Sequence, residues 1–232
     1  MRIFSYHLLE TKPLTTIKTL YRPLSDSKIS GLRHIELMTA MTLGSPIVSP
    51  SRVLLSKLAV FADWEDESDL EAFLKENELG KRLSKGWHVR LKFLRRWGSF
   101  SEIKDLPRNI EDTDPSKPVV AVTLARLKLP QLFRFVHWGK PVEKLVRDHP
   151  GNTLALASFR PLQTFSTFSV WRTQEEMTNM VHGKDSFSGS NRHVRAMEER
   201  NRKDFHHQFI TLRFRALSEH GEWLGQGNFL PK

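Results

Sequence analysis

Hydrophobic and polar positions follow the same order twice along the chain. In the first half an apolar run, Val53 to Ala62, leads into Asp63-Trp64-Glu65-Asp66-Glu67, and Leu70, Phe73, Leu74, Leu79 and Leu83 then mark one face of an amphipathic helix. In the second half Phe165 to Val170 leads into Trp171-Arg172-Thr173-Gln174-Glu175-Glu176-Met177. Each half closes on a strand. Trp87, Val89, Leu91 and Phe93 alternate with His88, Arg90 and Lys92, the period of a half-buried strand, and Gln208 to Leu217 occupies the same place in the second half. A unit of about half the chain is too long for a solenoid repeat and suits two copies of one small domain.

The remaining segments fill in the same grammar. Met1 to Leu9 alternates as a strand. Pro13 to Tyr21 has helical spacing with proline near its start. Leu32 to Leu43 reads as a strand stopped by Gly44-Ser45-Pro46. Residues 104–117 are polar, carry Pro107 and Pro115 and lack periodicity, which predicts a linker. Beyond it, Val119 to Leu127 is a strand and Pro130 opens a helix through Phe133, Phe135 and Val136. Gly139-Lys140-Pro141 is expected to break that helix before a second piece, Val142 to Arg147. Thr153 to Phe159 and Thr164 to Trp171 flank the hairpin-length Arg160-Pro161-Leu162-Gln163. The order strand-helix-strand-strand-helix-strand, twice, predicts an α+β fold of two tandem ferredoxin-like (βαββαβ) units, residues 1–103 and 118–232. Their four-stranded sheets, packed face to face, form an intramolecular barrel of the dimeric α+β type. Closure within one chain makes the expected assembly a monomer or a weak homodimer.

Composition narrows the chemistry. The 232 residues contain no cysteine, which excludes disulfides, thiolate metal sites and cysteine nucleophiles. Neither a signal-peptide core nor a run of the ~18 apolar residues needed for a membrane span is present, and the expected location is cytoplasmic. The net charge of +10 raises the question of nucleic acid, but each half carries 18 basic and 13 acidic residues and neither is a basic arm. An anionic small ligand or cofactor uses such charge equally well. The chain has no glycine-rich phosphate loop, no His-x-x-x-His pair on a helix and no serine-centred nucleophile elbow. The carboxylates from Asp63 to Asp69 sit where a helix N-terminus favours anions, so they need no metal.

The stretch Trp171-Arg-Thr-Gln-Glu-Glu-Met-Thr-Asn-Met, after a Phe/Ser/Val strand and before His193, resembles the strand-to-helix signature of the dimeric α+β barrel superfamily. Phe61-Ala-Asp-Trp-Glu-Asp-Glu-Ser-Asp-Leu-Glu-Ala-Phe resembles the same signature. Antibiotic-biosynthesis monooxygenases and IsdG-type haem-degrading proteins belong to that superfamily. Val120-Ala-Val-Thr-Leu-Ala-Arg and Trp138-Gly139 are similar to segments of the spheroidene monooxygenase group. The resemblance implies a monooxygenase-like oxidoreductase acting on a small apolar molecule, with haem as cofactor. It also implies a proximal histidine on the second helix of the unit. The matching position here is His193, as the ligand of the haem iron, with His182 nearby and Arg192 and Arg195 available to the propionates. Phe168, Trp171, Met177 and His206 complete the expected substrate pocket.

Each of these residues also has a plainer reading. A helical histidine between arginines reads as a solvated residue, and His182 beside Gly183 as a helix end. His206 shares a strand face with Ile210, Leu212 and Phe214, which suits a hydrogen-bonded core histidine. Trp64 and Trp171 suit seals between strand and helix. A cofactor-independent oxygenase needs only an apolar pocket and a few donors. The other class is a non-catalytic binding scaffold whose basic surface meets an anionic partner.

Overall fold

The computed structural model describes residues 1–21, 29–45, 49, 52–110, 114–184 and 191–231. The first half runs β1 (Ile3–Glu10), α1 (Pro13–Tyr21), β2 (Leu32–Met41), β3 (Val53–Trp64), α2 (Glu67–Glu76), α3 (Glu78–Leu83) and β4 (Trp87–Ser99). The second runs β5 (Val119–Leu127), α4 (Leu132–Asp148), β6 (Asn152–Arg160), β7 (Thr164–Trp171), α5 (Gln174–His182), α6 (Asn191–Arg202) and β8 (His206–His220). All eight strands close into one antiparallel barrel in the order β1-β3-β2-β6-β7-β5-β8-β4. Each half contributes the ferredoxin-like order, β4-β1-β3-β2 and β8-β5-β7-β6, so the expected α+β barrel is the architecture found. The two sheets do more than face each other. They are hydrogen-bonded along both edges, briefly at β2–β6 (Thr39 to Met41) and at length at β4–β8 (His88 to Ser99). Closure leaves no free sheet edge.

The alternation of each strand sorts its side chains between two layers. Phe4, Tyr6, Leu8, Trp87, Val89, Leu91, Phe168, Val170, Ile210, Leu212 and Phe214 point into the barrel and form one core. Ile3, Leu37, Leu58, Val60 and Trp64 point outward against Leu70, Phe73, Leu74 and Leu83 of α2 and α3. Phe100, Ile103 and Leu106 plug one end of the barrel, so Leu106 of the expected polar linker is core. Residues 111–113 of that linker lie outside the described residues. At the other end Glu219 accepts from the Trp87 indole N–H at 2.6 Å and from the N–H groups of Phe229 and Leu230 at 2.9 Å, latching the C-terminal segment over the opening.

Two helices differ from expectation. The helix expected through Leu83 divides at Asn77, whose extended backbone (φ −77°, ψ 139°) ends α2 while its side-chain oxygen caps α3 at Leu79 N–H, 2.9 Å. The helix expected to break at Gly139-Lys140-Pro141 continues through Pro141 as the single α4. A proline forfeits only one intrahelical bond there. Val136, Leu145 and the buried Glu143 fix the helix on both sides of it, so packing outweighs local propensity.

Outside the barrel, His7, His88 and His220 stack across β1, β4 and β8, with ring centroids 5.1 and 4.8 Å apart. Burial holds His7 well below the ordinary histidine value and pushes His88 down to about 4, with the next imidazole in the stack adding to each shift. His206, pushed down to about 4 by burial, behaves alike. Groups whose folded pKa is depressed in this way favour the folded state fully above pH 6.5, and that contribution is lost as pH falls toward 4. Each should contribute a slope of up to about 1.4 kcal/mol per pH unit. Urea denaturation between pH 7 and 4 should therefore show stability falling steeply below about pH 6.5, and His88→Gln should flatten the fall.

Candidate functional site

The two sheets present different outer faces. That of the first half is closed by large, buried side chains. On the second half, cross-strand register lays small residues in rows. Ala155, Ser169 and Ala121 form one row that ends on Arg213 and Arg95. Ala157, Thr167, Thr123 and Thr211 form the next, ending on Trp97. Most of these rows are only half-buried although α4, α5 and α6 lie on this side. Trp171 and Val119 wall one end with Leu145, Met177 and Met180. Phe159, Phe165 and Phe209 wall the other, with Phe135 of α4 packed edge-on to Phe165 at 5.0 Å. The two end walls, at Phe165 and Trp171, are six residues apart along β7, roughly 20 Å. The side chains between them are small and end in methyl and hydroxyl groups.

On α6, His193, Ala196, Met197 and Arg200 share one side at 100° per residue. The Arg200 guanidinium lies 3.9 Å from the Phe209 ring centroid, which fixes that side as the inner one. His193 Nδ1 lies 2.9 Å from the Val181 carbonyl oxygen at the end of α5. Since a carbonyl only accepts, Nδ1 carries the proton and Nε2 keeps a free lone pair. Burial lowers the pKa of His193 and keeps the ring neutral, against the opposing pull of the Val181 bond. This is the tautomer and orientation that an imidazole ligand requires. Among the described residues no group of three or more His, Asp or Glu side chains is placed to hold a bare metal ion.

The residues singled out from the sequence do not all meet. His193 lies at the α5–α6 contact, and Trp171 and Met177 form the end wall beside it. His182 ends α5 exposed, where Gly183 at φ +66° caps the helix. Arg192 and Arg195 are exposed on the far side of α6, and Arg200 is the α6 cation on the His193 side. The stretch from Gly183 to Asn191 that precedes His193 falls largely on 185–190, outside the described residues. Phe168 points the opposite way from Trp171, into the barrel, stacked on Tyr6 at 4.1 Å. His206 belongs to the aromatic wall, 5.7 Å from Phe135 and 4.9 Å from Phe209, with Nδ1 3.0 Å from Asp204. Arg213 was not foreseen. It stacks on Trp97 at 4.4 Å beside Arg95 at 4.7 Å, and burial together with Arg95 pushes it down to about 10.

No family profile and no curated protein matches the sequence. Among solved structures, this one is similar to an aldoxime dehydratase in complex with butyraldoxime, at 10% identity and a TM-score of 0.55, over 94% of this chain and 80% of that one. It is also similar to a monooxygenase-like protein from Listeria innocua, at 11% identity and a TM-score of 0.29, over 93% and 96% of the two chains. A haem-degrading enzyme from Listeria monocytogenes is similar at 11% identity and a TM-score of 0.29, over 91% and 99%. At 10% identity the likeness to the aldoxime dehydratase is one of fold.

Proposed function

We propose that this chain is a haem-binding, monooxygenase-like enzyme that acts on a small apolar molecule in the groove between the second sheet and α4, α5 and α6. The observation that carries the reading is His193: neutral, its Nδ1–H held by the Val181 carbonyl and its Nε2 left unprotonated, on the side of α6 that also carries Arg200 against Phe209. When bound, haem supplies dioxygen and one-electron chemistry that no side chain of this protein can supply.

The protein's own contribution follows from the groove. Val181 fixes the ring of His193 so that Nε2 is presented without a rotamer search. The small residues Ala121, Thr123, Ala155 and Thr167 let a flat ring lie against the sheet, where Leu or Phe would stand in its way. Arg200, stacked on Phe209, and Arg213, stacked on Trp97, would supply the cations for the cofactor's carboxylates. Trp171, Met177 and the Phe135–Phe165 pair give an apolar substrate dry walls. Titration of the purified protein with haem should give a Soret band that saturates at one equivalent per chain, since only the second half carries such a histidine. A linear, unsaturated rise, or no band, removes the haem reading and leaves the scaffold that binds an anionic partner.

A further inference from the structure

One end of the barrel differs from the rest of the surface. The last residues of β5 and β6 and the first of β7 and β8 all lie there. At the start of α4, Leu129, Leu132 and Phe133 are 57%, 41% and 80% exposed, and Leu162 at the tip of the β6–β7 hairpin is 85% exposed. Single apolar residues in water are ordinary, but four large ones projecting at one end form a patch that a monomer seldom leaves uncovered. These side chains protrude; they do not line a cleft, so they suit insertion into a soft apolar medium better than capture of a ligand.

The margin of the patch is basic. The Lys128 N–H donates to the Phe205 carbonyl at 2.8 Å, and Arg134 donates to the Lys203 carbonyl at 3.1 Å, which brings Lys128 and the exposed Lys203 beside the apolar residues. The acidic groups nearby lie beside guanidinium groups: Glu199 against Arg134 and Arg202, and Asp204 3.9 Å from Arg200. The field at this end is therefore positive, in a chain whose net charge is +10.

We propose that this end docks on an anionic lipid bilayer, with Phe133, Leu132, Leu129 and Leu162 seated at the boundary of headgroups and acyl chains and Lys128 and Lys203 on lipid phosphates. Apolar anchors ringed by lysine are the composition that holds a protein in an interface without spanning it. Among the described residues no helix is long and apolar enough to cross a membrane, and the attachment proposed is peripheral. The same end carries the Phe135–Phe165 wall of the groove. A molecule dissolved in the bilayer thus reaches the floor without crossing water, a consequence that rests on the proposed function.

The test uses the full chain without haem, so its result is independent of cofactor binding. Sedimentation with phosphatidylglycerol–phosphatidylcholine vesicles should carry the protein down, with binding about tenfold weaker to pure phosphatidylcholine and falling as salt rises. The double change Phe133→Ser with Leu132→Ser should weaken binding about tenfold again. Leu14→Ser, at an equally exposed leucine on α1, should leave it unchanged. The proposal is overturned if wild type stays in the supernatant with both vesicles, or if Leu14→Ser weakens binding as much. It is equally overturned if light scattering shows a dimer that Phe133→Ser dissolves, which would make the patch a contact between copies of this chain.

Discussion

Glu143→Ala lowers the stability of the protein by about 3–5 kcal/mol and its Tm by roughly 10 °C. Glu143 on α4 forms a buried, two-pronged ion pair with Arg52, at 2.9 and 3.2 Å, with the two side chains only 7% and 5% exposed. Its Oε2 also accepts from the Gly44 N–H at 2.8 Å, and Arg52 donates to the Ser45 carbonyl at 2.6 Å. Removing the carboxylate strands a guanidinium out of water and frees a backbone donor, and those losses set the size of the effect. The pair itself is not worth that much, because desolvating both charges offsets most of their attraction. The double change Arg52→Met with Glu143→Leu should therefore recover most of the stability that Glu143→Ala loses. Differential scanning calorimetry of the two variants checks this. Equal Tm values would mean that the carboxylate, not the stranded charge, carries the effect.

Phe168→Ala has a cost of similar size, about 3–5 kcal/mol, and acts on the fold rather than on a ligand. Phe168 is 1% exposed, stacks on Tyr6 of the first half at 4.1 Å and meets Trp87 edge-on at 5.8 Å. Truncation empties the middle of a core that both halves share, beside a hydroxyl bridge across it, Tyr6 Oη to Ser158 Oγ at 3.2 Å. The expected result is a large loss in the urea midpoint with the haem stoichiometry of the surviving folded protein unchanged. A stable variant with impaired haem binding would return Phe168 to the site.

That residue also shows how far the sequence was legible. Periodicity marked the strands and their order because each has one face against the core, and a duplicated βαββαβ order leaves few ways to bury two sheets. Strand parity, read strictly, separates Phe168 from Trp171, since three residues apart they must point to opposite faces. The same holds on α6, where Arg192 and Arg195 lie away from the side that carries His193 and Arg200. Other features rest on contacts between distant segments, which no local pattern encodes. The continuity of α4 through Pro141 depends on Glu143 reaching Arg52, 91 residues away in sequence. The tautomer of His193 depends on how α6 returns to Val181 of α5. The small-residue floor appears only when four strands are set in register, each giving one or two ordinary alanines or threonines.

The most direct measurement is made on His193→Gly. Haem added to wild type should give the absorption and resonance Raman signature of histidine-ligated iron. His193→Gly should bind haem roughly 100-fold more weakly and lack the iron–imidazole stretch. Free imidazole, which fits the space the side chain leaves, should restore both the affinity and the stretch. If His193→Gly binds haem as wild type does, with an unchanged spectrum and no response to imidazole, then His193 is not the ligand and the groove on the second sheet is not a haem site.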